Sequence, residues 1–129
     1  MSRPSFFQCA IGAFIALQLV MPALAQDEAP TIYPGLAAGL IDQGVLVIDV
    51  RSDEEVSETG VLANAEHIPH TEIDAIIDSI GERPARAVVL YCGSGRRASR
   101  VIDALRQQGY GGGVNAGGYV DLQAALAAE

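Results

Sequence analysis

The residue types of a nucleophilic site fall together once in this chain, in Tyr91-Cys92-Gly93-Ser94-Gly95-Arg96-Arg97. An apolar run, Ala87-Val88-Val89-Leu90-Tyr91, leads in, and a periodic segment from Ala98 to Gln108 leads out. That order predicts a buried strand, a tight loop and a helix, with Cys92 at the first loop position. A sulfur there would face successive backbone N–H groups and the positive end of a helix dipole. Both favour thiolate over thiol, and the thiolate is the reactive form. The stretch therefore reads as the centre of a cysteine-dependent group-transfer enzyme.

The chain ahead of this centre divides in two. Arg3, the apolar run Cys9–Met21 and the small-x-small triplet Ala23-Leu24-Ala25 have the layout of a secretory signal at residues 1–25. Cleavage after Ala25 would leave Gln26 as the first mature residue. The apolar run is shorter than the roughly 20 residues of a membrane span, so no stable span is expected after cleavage. The expected location is outside the cytoplasm, in a periplasm. Residues 26–129 then form a single domain, long enough for one modest core. Seven arginines, no lysine and 16 acidic residues give that domain a formal charge of −9. Such a balance excludes nucleic acid and anionic membrane surfaces as general partners, so any anion site must be local.

Without the signal, Cys92 is the sole cysteine, which excludes an internal disulfide framework. A lone cysteine often serves only as a small core residue. The Gly-Ser-Gly-Arg-Arg that follows places this one at a turning point of the chain, where a surface thiol is expected.

Periodicity supplies the scaffold. Leu36, Ala37, Leu40 and Ile41 share a helical face that stops at Gly44, and Val45–Ile48 reads as a strand buried on both faces. Ser52 and Glu55 form a capping-box pattern that opens a short helix ending near Gly60. A short strand is expected around Ala65–His67. Thr71 is the expected cap of a helix carrying Ile73, Ile76, Ile77 and Ile80, closed by Gly81. Ala98, Val101, Ile102 and Leu105 define the helix after the loop. Gly111-Gly112-Gly113 reads as a turn, Val114–Ala116 as a last short strand, and Tyr119, Leu122 and Leu126 as the inward face of a final helix. Helices alternating with short apolar strands predict an α/β three-layer sandwich around a mostly parallel sheet. The Cys92 loop then sits at the carboxyl end of its strand, where open sheets hold ligands.

These residues resemble the rhodanese family. The resemblance is carried by Val47-Ile48-Asp49-Val50-Arg51 with Glu54 and Glu55 after it, by Gly60–Pro69, by Leu90-Tyr91-Cys92 with Gly95 and Arg96, and by Gly109-Tyr110 and Val114–Tyr119. It covers the whole predicted domain, in order, and is strongest to the small exported single-domain sulfurtransferases. Val61 and Asn64 depart from the family pattern, where His and Gly are frequent. The resemblance implies a rhodanese-like fold and a two-step transfer through a Cys92 persulfide. Sulfane sulfur would pass from a small anionic donor such as thiosulfate to a thiophilic acceptor, cyanide or a thiol. Gly93, Ser94 and Gly95 would cradle the sulfur anion with backbone N–H groups, and Arg96 or Arg97 would bind the donor's sulfonate.

Other residues read differently. Asp49 and Arg51 look structural, with Arg51 expected to tie the strand end to Glu55 or Glu58, and Arg100 reads as a solvated helix residue. His67 and His70 lack ligand-spaced neighbours, so neither a metal nor an organic cofactor is implied; His67 falls at a position where the rhodanese family takes His or Asn, and the resemblance implies a hydrogen-bonding role for it. A monomer is expected. The competing readings are a persulfide carrier or protein-binding module without turnover, a redox-sensing thiol, and a phosphatase or arsenate reductase. The last group uses a Cys-x5-Arg loop, whereas Arg97 here comes one residue early.

Overall fold

The computed structural model describes residues 29–129, so the signal read at residues 1–25 and the start at Gln26 lie outside the described residues. In chain order the elements are α1 (Pro34–Asp42), β1 (Leu46–Asp49), α2 (Asp53–Thr59), β2 (Glu66–His67), α3 (Ile73–Ile80), β3 (Val88–Cys92), α4 (Arg96–Gln107), β4 (Gly113–Gly118) and α5 (Tyr119–Ala127). The four strands form one parallel sheet in the order β2-β1-β3-β4.

Alternation along the central strand decides the layers. Side chains on a strand point to opposite faces in turn. β3 therefore sends Val88, Leu90 and Cys92 to one face, where Ile76 and Ile80 of α3 and Val101, Ile102 and Leu105 of α4 cover them. Val89 and Tyr91 go to the other face, against Ala37 of α1 and Leu122 of α5. Each fully buried aliphatic side chain contributes about 1.5–3 kcal/mol. The three layers and the parallel sheet agree with the predicted fold class.

Local signals set most boundaries. Pro34 opens α1 at a position where its missing N–H costs no hydrogen bond. The Ser52 hydroxyl accepts the Glu55 N–H while the Glu55 carboxylate accepts the Ser52 N–H, so the predicted capping box starts α2. Some expectations need correction. Glu72, not Thr71, stands at the N-cap of α3, and no side chain caps it. On α1 the buried pair is Ala37 and Ala38, while Leu36 is exposed. β4 extends beyond Val114–Ala116 at both ends, taking in Gly113 and the Gly117-Gly118 pair. Pairing with β3 overrides the weak strand preference of glycine there.

The carboxyl end of β1 is stitched by Arg51. Its guanidinium bonds Asp49 at 2.7 Å, Thr59 Oγ1 at 3.0 Å and the Gly60 carbonyl at 2.8 Å. It also stands 4.5 Å from the Tyr119 ring centre, a cation–π distance. The role is structural, as read from the sequence, but the partner is Asp49 and not Glu55 or Glu58. Two residues apart in extended chain share a side, so Asp49 is the nearer carboxylate.

Candidate active site

β3 ends by delivering Cys92 into the junction of three elements. Its side chain is fully buried, with 0 % exposure, contrary to the expected surface thiol. Burial follows from strand alternation, since Cys92 continues the inward row of Val88 and Leu90. The exposed turn begins one residue later, at Gly93 and Ser94. Cys92 Sγ accepts the Gly95 N–H at 3.0 Å. Gly95 adopts φ +88 as the N-cap of α4, and that left-handed turn aims its N–H back at the sulfur. The sulfur therefore lies inside the arc of its own loop, beside the first turn of a 12-residue helix.

The loop is fixed from below. Asn115 Nδ2 donates to the Gly95 carbonyl at 2.9 Å, and its Oδ1 accepts the Gly117 N–H at 2.9 Å. The β3–β4 register shifts after Leu90, so that Cys92 stands opposite Gly118. A Cβ on Gly118 would fall 2.3 Å from the Gly93 carbonyl oxygen, so only glycine allows this approach. Ile32, ahead of α1, forms the floor: a Cβ on Gly95 would meet its Cγ2 at 2.9 Å. The neighbouring Tyr33 N–H is anchored on the Asn115 carbonyl at 2.8 Å.

The two arginines part company. Arg96 is exposed at the start of α4. Arg97 turns inward, and its Nη1 and Nη2 donate to the two Glu55 carboxylate oxygens at 2.6 and 2.9 Å. Such a bidentate pair is charge-assisted and directional. The Arg97 bond holds the Glu55 carboxyl at about 2, well below the usual range, against the opposing effect of burial and with help from Ser52. The same bond pushes Arg97 up, burial opposes it, and Cys92 adds to the upward shift by charge and hydrogen bonding. A Cβ on Gly93 would sit 3.1 Å from Arg97 Nη2 and 3.4 Å from Glu55 Oε2, so the pair lies directly against the loop.

All six sequence-predicted residues, Cys92 to Arg97, thus meet at one place, with Ser94 and Arg96 at its exposed rim. Sequence reading missed Asn115 as the pin and Glu55 as the partner of Arg97. A polar residue inside the otherwise apolar Val114–Ala116 strand was the available signal for Asn115. His67 Nε2 lies 2.8 Å from the Arg51 carbonyl, in the hydrogen-bonding role expected of it. Among the described residues no group of three His, Cys, Asp or Glu side chains could hold a metal ion. A separate groove of about 360 Å³, lined by Tyr33, Leu36, Asp103 and Arg106 among others, does not include Cys92.

The profile of the Rhodanese-like domain family matches residues 34–125, most of the chain and every element of the sheet. The chain belongs to that family. A sulfurtransferase of Allochromatium vinosum is 35 % identical over 69 residues, which are 54 % of this chain and 62 % of the relative. A Bacillus subtilis relative is also 35 % identical over 69 residues, 54 % of this chain and 64 % of its own length. Both matches therefore span less than two thirds of the relatives. The crystal structure of a rhodanese-like domain protein from Staphylococcus aureus superposes with a TM-score of 0.53 at 30 % identity, over 60 % of this chain and 74 % of that one. A rhodanese homolog from Thermus thermophilus gives 0.52 at 27 % identity, over 70 % and 98 %. This rhodanese-like chain thus carries the family fold with its cysteine at the carboxyl edge of the sheet.

Proposed function

We propose that the protein is a sulfurtransferase that moves sulfane sulfur from a donor such as thiosulfate to a thiophilic acceptor through a Cys92 persulfide. The observation that carries the reading is the Cys92 sulfur accepting the Gly95 N–H at 3.0 Å, within a loop closed by Arg97. The Cys92 thiolate attacks the outer sulfur of the donor, the sulfur–sulfur bond of thiosulfate breaks, and sulfite leaves with the electron pair. Backbone N–H groups of the loop and the start of α4 stabilise the resulting persulfide anion. An acceptor thiolate or cyanide then takes the outer sulfur and returns Cys92 to the thiolate. This is covalent catalysis with one nucleophile and two half-reactions. Gly93, Ser94 and Gly95 shape the cradle, and Arg96, exposed at its rim, is the arginine free to meet the donor's oxygens. Sulfurtransferase chemistry is also the name given to the Allochromatium relative. We further place the working protein in a periplasm, as a monomer without cofactor, after removal of residues 1–25.

Phosphatase or arsenate reductase chemistry fits less well. The loop is one residue shorter than a Cys-x5-Arg cradle, and the fork of Arg97 is already filled by a carboxylate. The test is the intact mass of the protein before and after thiosulfate. A gain of about 32 Da, removed by cyanide and absent in Cys92→Ala, is the expected result for a persulfide intermediate. No gain from a reduced, accessible thiol would reject the reading. A mass gain with no turnover to any acceptor would favour a sulfur carrier.

A further inference from the structure

Charge is unevenly spread over this domain. Residues 29–129 hold seven arginines, and four of them, Arg96, Arg97, Arg100 and Arg106, lie on α4 against one carboxylate, Asp103. The other four described helices carry carboxylates and no arginine. Ala98, Val101, Ile102 and Leu105 are the buried side of α4. Arg96, Arg100, Asp103 and Gln107 recur at helical spacing on the opposite side, and all four are exposed. Arg106 is exposed on the flank of that row, with its Nη1 3.9 Å from Asp103, a loose contact. Among the described residues neither Arg96 nor Arg100 joins an ion pair. Between Arg96 and Arg106 the helix rises about 15 Å, and its Arg96 end adjoins the Cys92 loop.

We propose that this exposed face of α4 docks an acidic segment of a protein whose cysteine takes the sulfur from Cys92. The proposal rests on the sulfurtransferase reading and names the partner of its second half-reaction. Charge complementarity selects that partner. With a formal charge of −9, residues 26–129 as a whole repel an acidic surface. Screening cuts that repulsion off beyond about 8 Å at physiological ionic strength, so a partner in contact with α4 is governed by its arginines. Arg83 and Arg86 precede β3, at the opposite end of the sheet from Cys92, and cannot guide its acceptor. A small thiol or cyanide is too short to use a row about 15 Å long. A protein segment can lay carboxylates against Arg100 and Arg106 while its cysteine reaches the loop. Arg96 stays with the donor, and Arg100 and Arg106 hold the acceptor. The acceptor thiolate attacks the outer sulfur of Cys92–S–SH, the sulfur–sulfur bond breaks, and the electron pair returns to Cys92 Sγ. The proton stays on the transferred sulfur, so the partner leaves as a protein persulfide and no oxidant or reductant is consumed.

The test follows sulfur transfer from the loaded protein to three synthetic peptides, each with one cysteine flanked by glutamates, glutamines or lysines. Rates are compared per thiolate, because flanking carboxylates raise the cysteine pKa. At about 0.1 M salt the glutamate peptide should show a kcat/KM about tenfold above the glutamine peptide, and the advantage should vanish near about 1 M. Arg100→Gln and Arg106→Gln should each remove about two- to fivefold of it, the scale of one exposed charge contact. The double variant should lose nearly all of it, and Arg100→Lys, which keeps the charge, should retain most. For cyanide as acceptor, kcat/KM should stay within about twofold in every variant. Equal rates for the glutamate and glutamine peptides, a faster lysine peptide, or an advantage that survives the double variant would overturn the proposal while leaving the sulfurtransferase reading intact. A matching loss of cyanide turnover in the variants would assign the arginines a structural role and overturn it too. Inhibition by single-stranded DNA that the double variant abolishes, without a glutamate preference, would give the face to nucleic acid instead. Transfer to no acceptor, cyanide included, would remove the reading on which the proposal rests.

Discussion

Replacing Gly95 by alanine attacks the bond between the loop backbone and the nucleophile. Two penalties add at this position. The residue sits at φ +88, where an alanine costs about 1–2 kcal/mol. Its Cβ would also stand 2.9 Å from Ile32 Cγ2 and 3.1 Å from the Gly117 Cα. The second of these is backbone inside a paired strand and cannot swing away, so overpacking adds about 1–3 kcal/mol. Gly44→Ala is the matched control, with φ +83 and nothing within 4 Å of the added carbon. Urea unfolding should therefore place Gly95→Ala about 2–5 kcal/mol below the parent and Gly44→Ala only about 1–2. The functional readout separates the pair further. Any movement of Gly95 lengthens the N–H to Sγ contact, so persulfide loading from thiosulfate should slow in Gly95→Ala and stay at the parent rate in Gly44→Ala. Equal destabilisation of the two variants would refute the close-packing argument. Normal loading in a destabilised Gly95→Ala would refute the role of this N–H.

Three further outcomes follow from contacts around the site. Tyr91→Phe removes the hydroxyl that accepts the Leu62 N–H at 2.7 Å, and chemical denaturation should show a loss of about 1–3 kcal/mol. Asp49→Asn leaves the buried Arg51 without its charge partner, and the same measurement should show a larger loss of about 3–5 kcal/mol. With the folded Glu55 carboxyl held at about 2, its pairing contribution is fully present above the ordinary carboxylate range and lost as pH falls through about 2. The stability gap between the parent and Glu55→Gln should hence be flat from pH 7 to pH 5 and close only below about pH 4.5; a gap that closes near neutrality would contradict the pairing.

What could be read from the sequence was local. Strand, loop and helix around Cys92 were written in the switch from a continuous apolar run to a 3.6-residue period, interrupted by two glycines. The capping box at Ser52 and Glu55 was visible because both its members lie within four residues of each other. The same Glu55 has a second partner 42 residues away, and no periodicity reports that contact. Cys92 was placed on the surface because glycine and serine follow it, yet alternation from Val88 continues through it and turns it inward. The Gly-Gly pair at 117 and 118 lies beyond the strand expected at Val114–Ala116. Its strand character arises only from β3 alongside, where a side chain would collide with the Gly93 carbonyl.

The family profile begins at residue 34, two residues after Ile32. A domain excised at that boundary would keep every strand, every helix and the cysteine, yet lose the side chain that underlies Gly95. It would also lose the Tyr33 N–H that holds the Asn115 carbonyl. Such a fragment would fold around the same core with the cradle opened to water from beneath. The smallest transplantable unit of activity is therefore longer than the smallest recognisable unit of fold, and the difference is a few residues of irregular chain in front of the first helix.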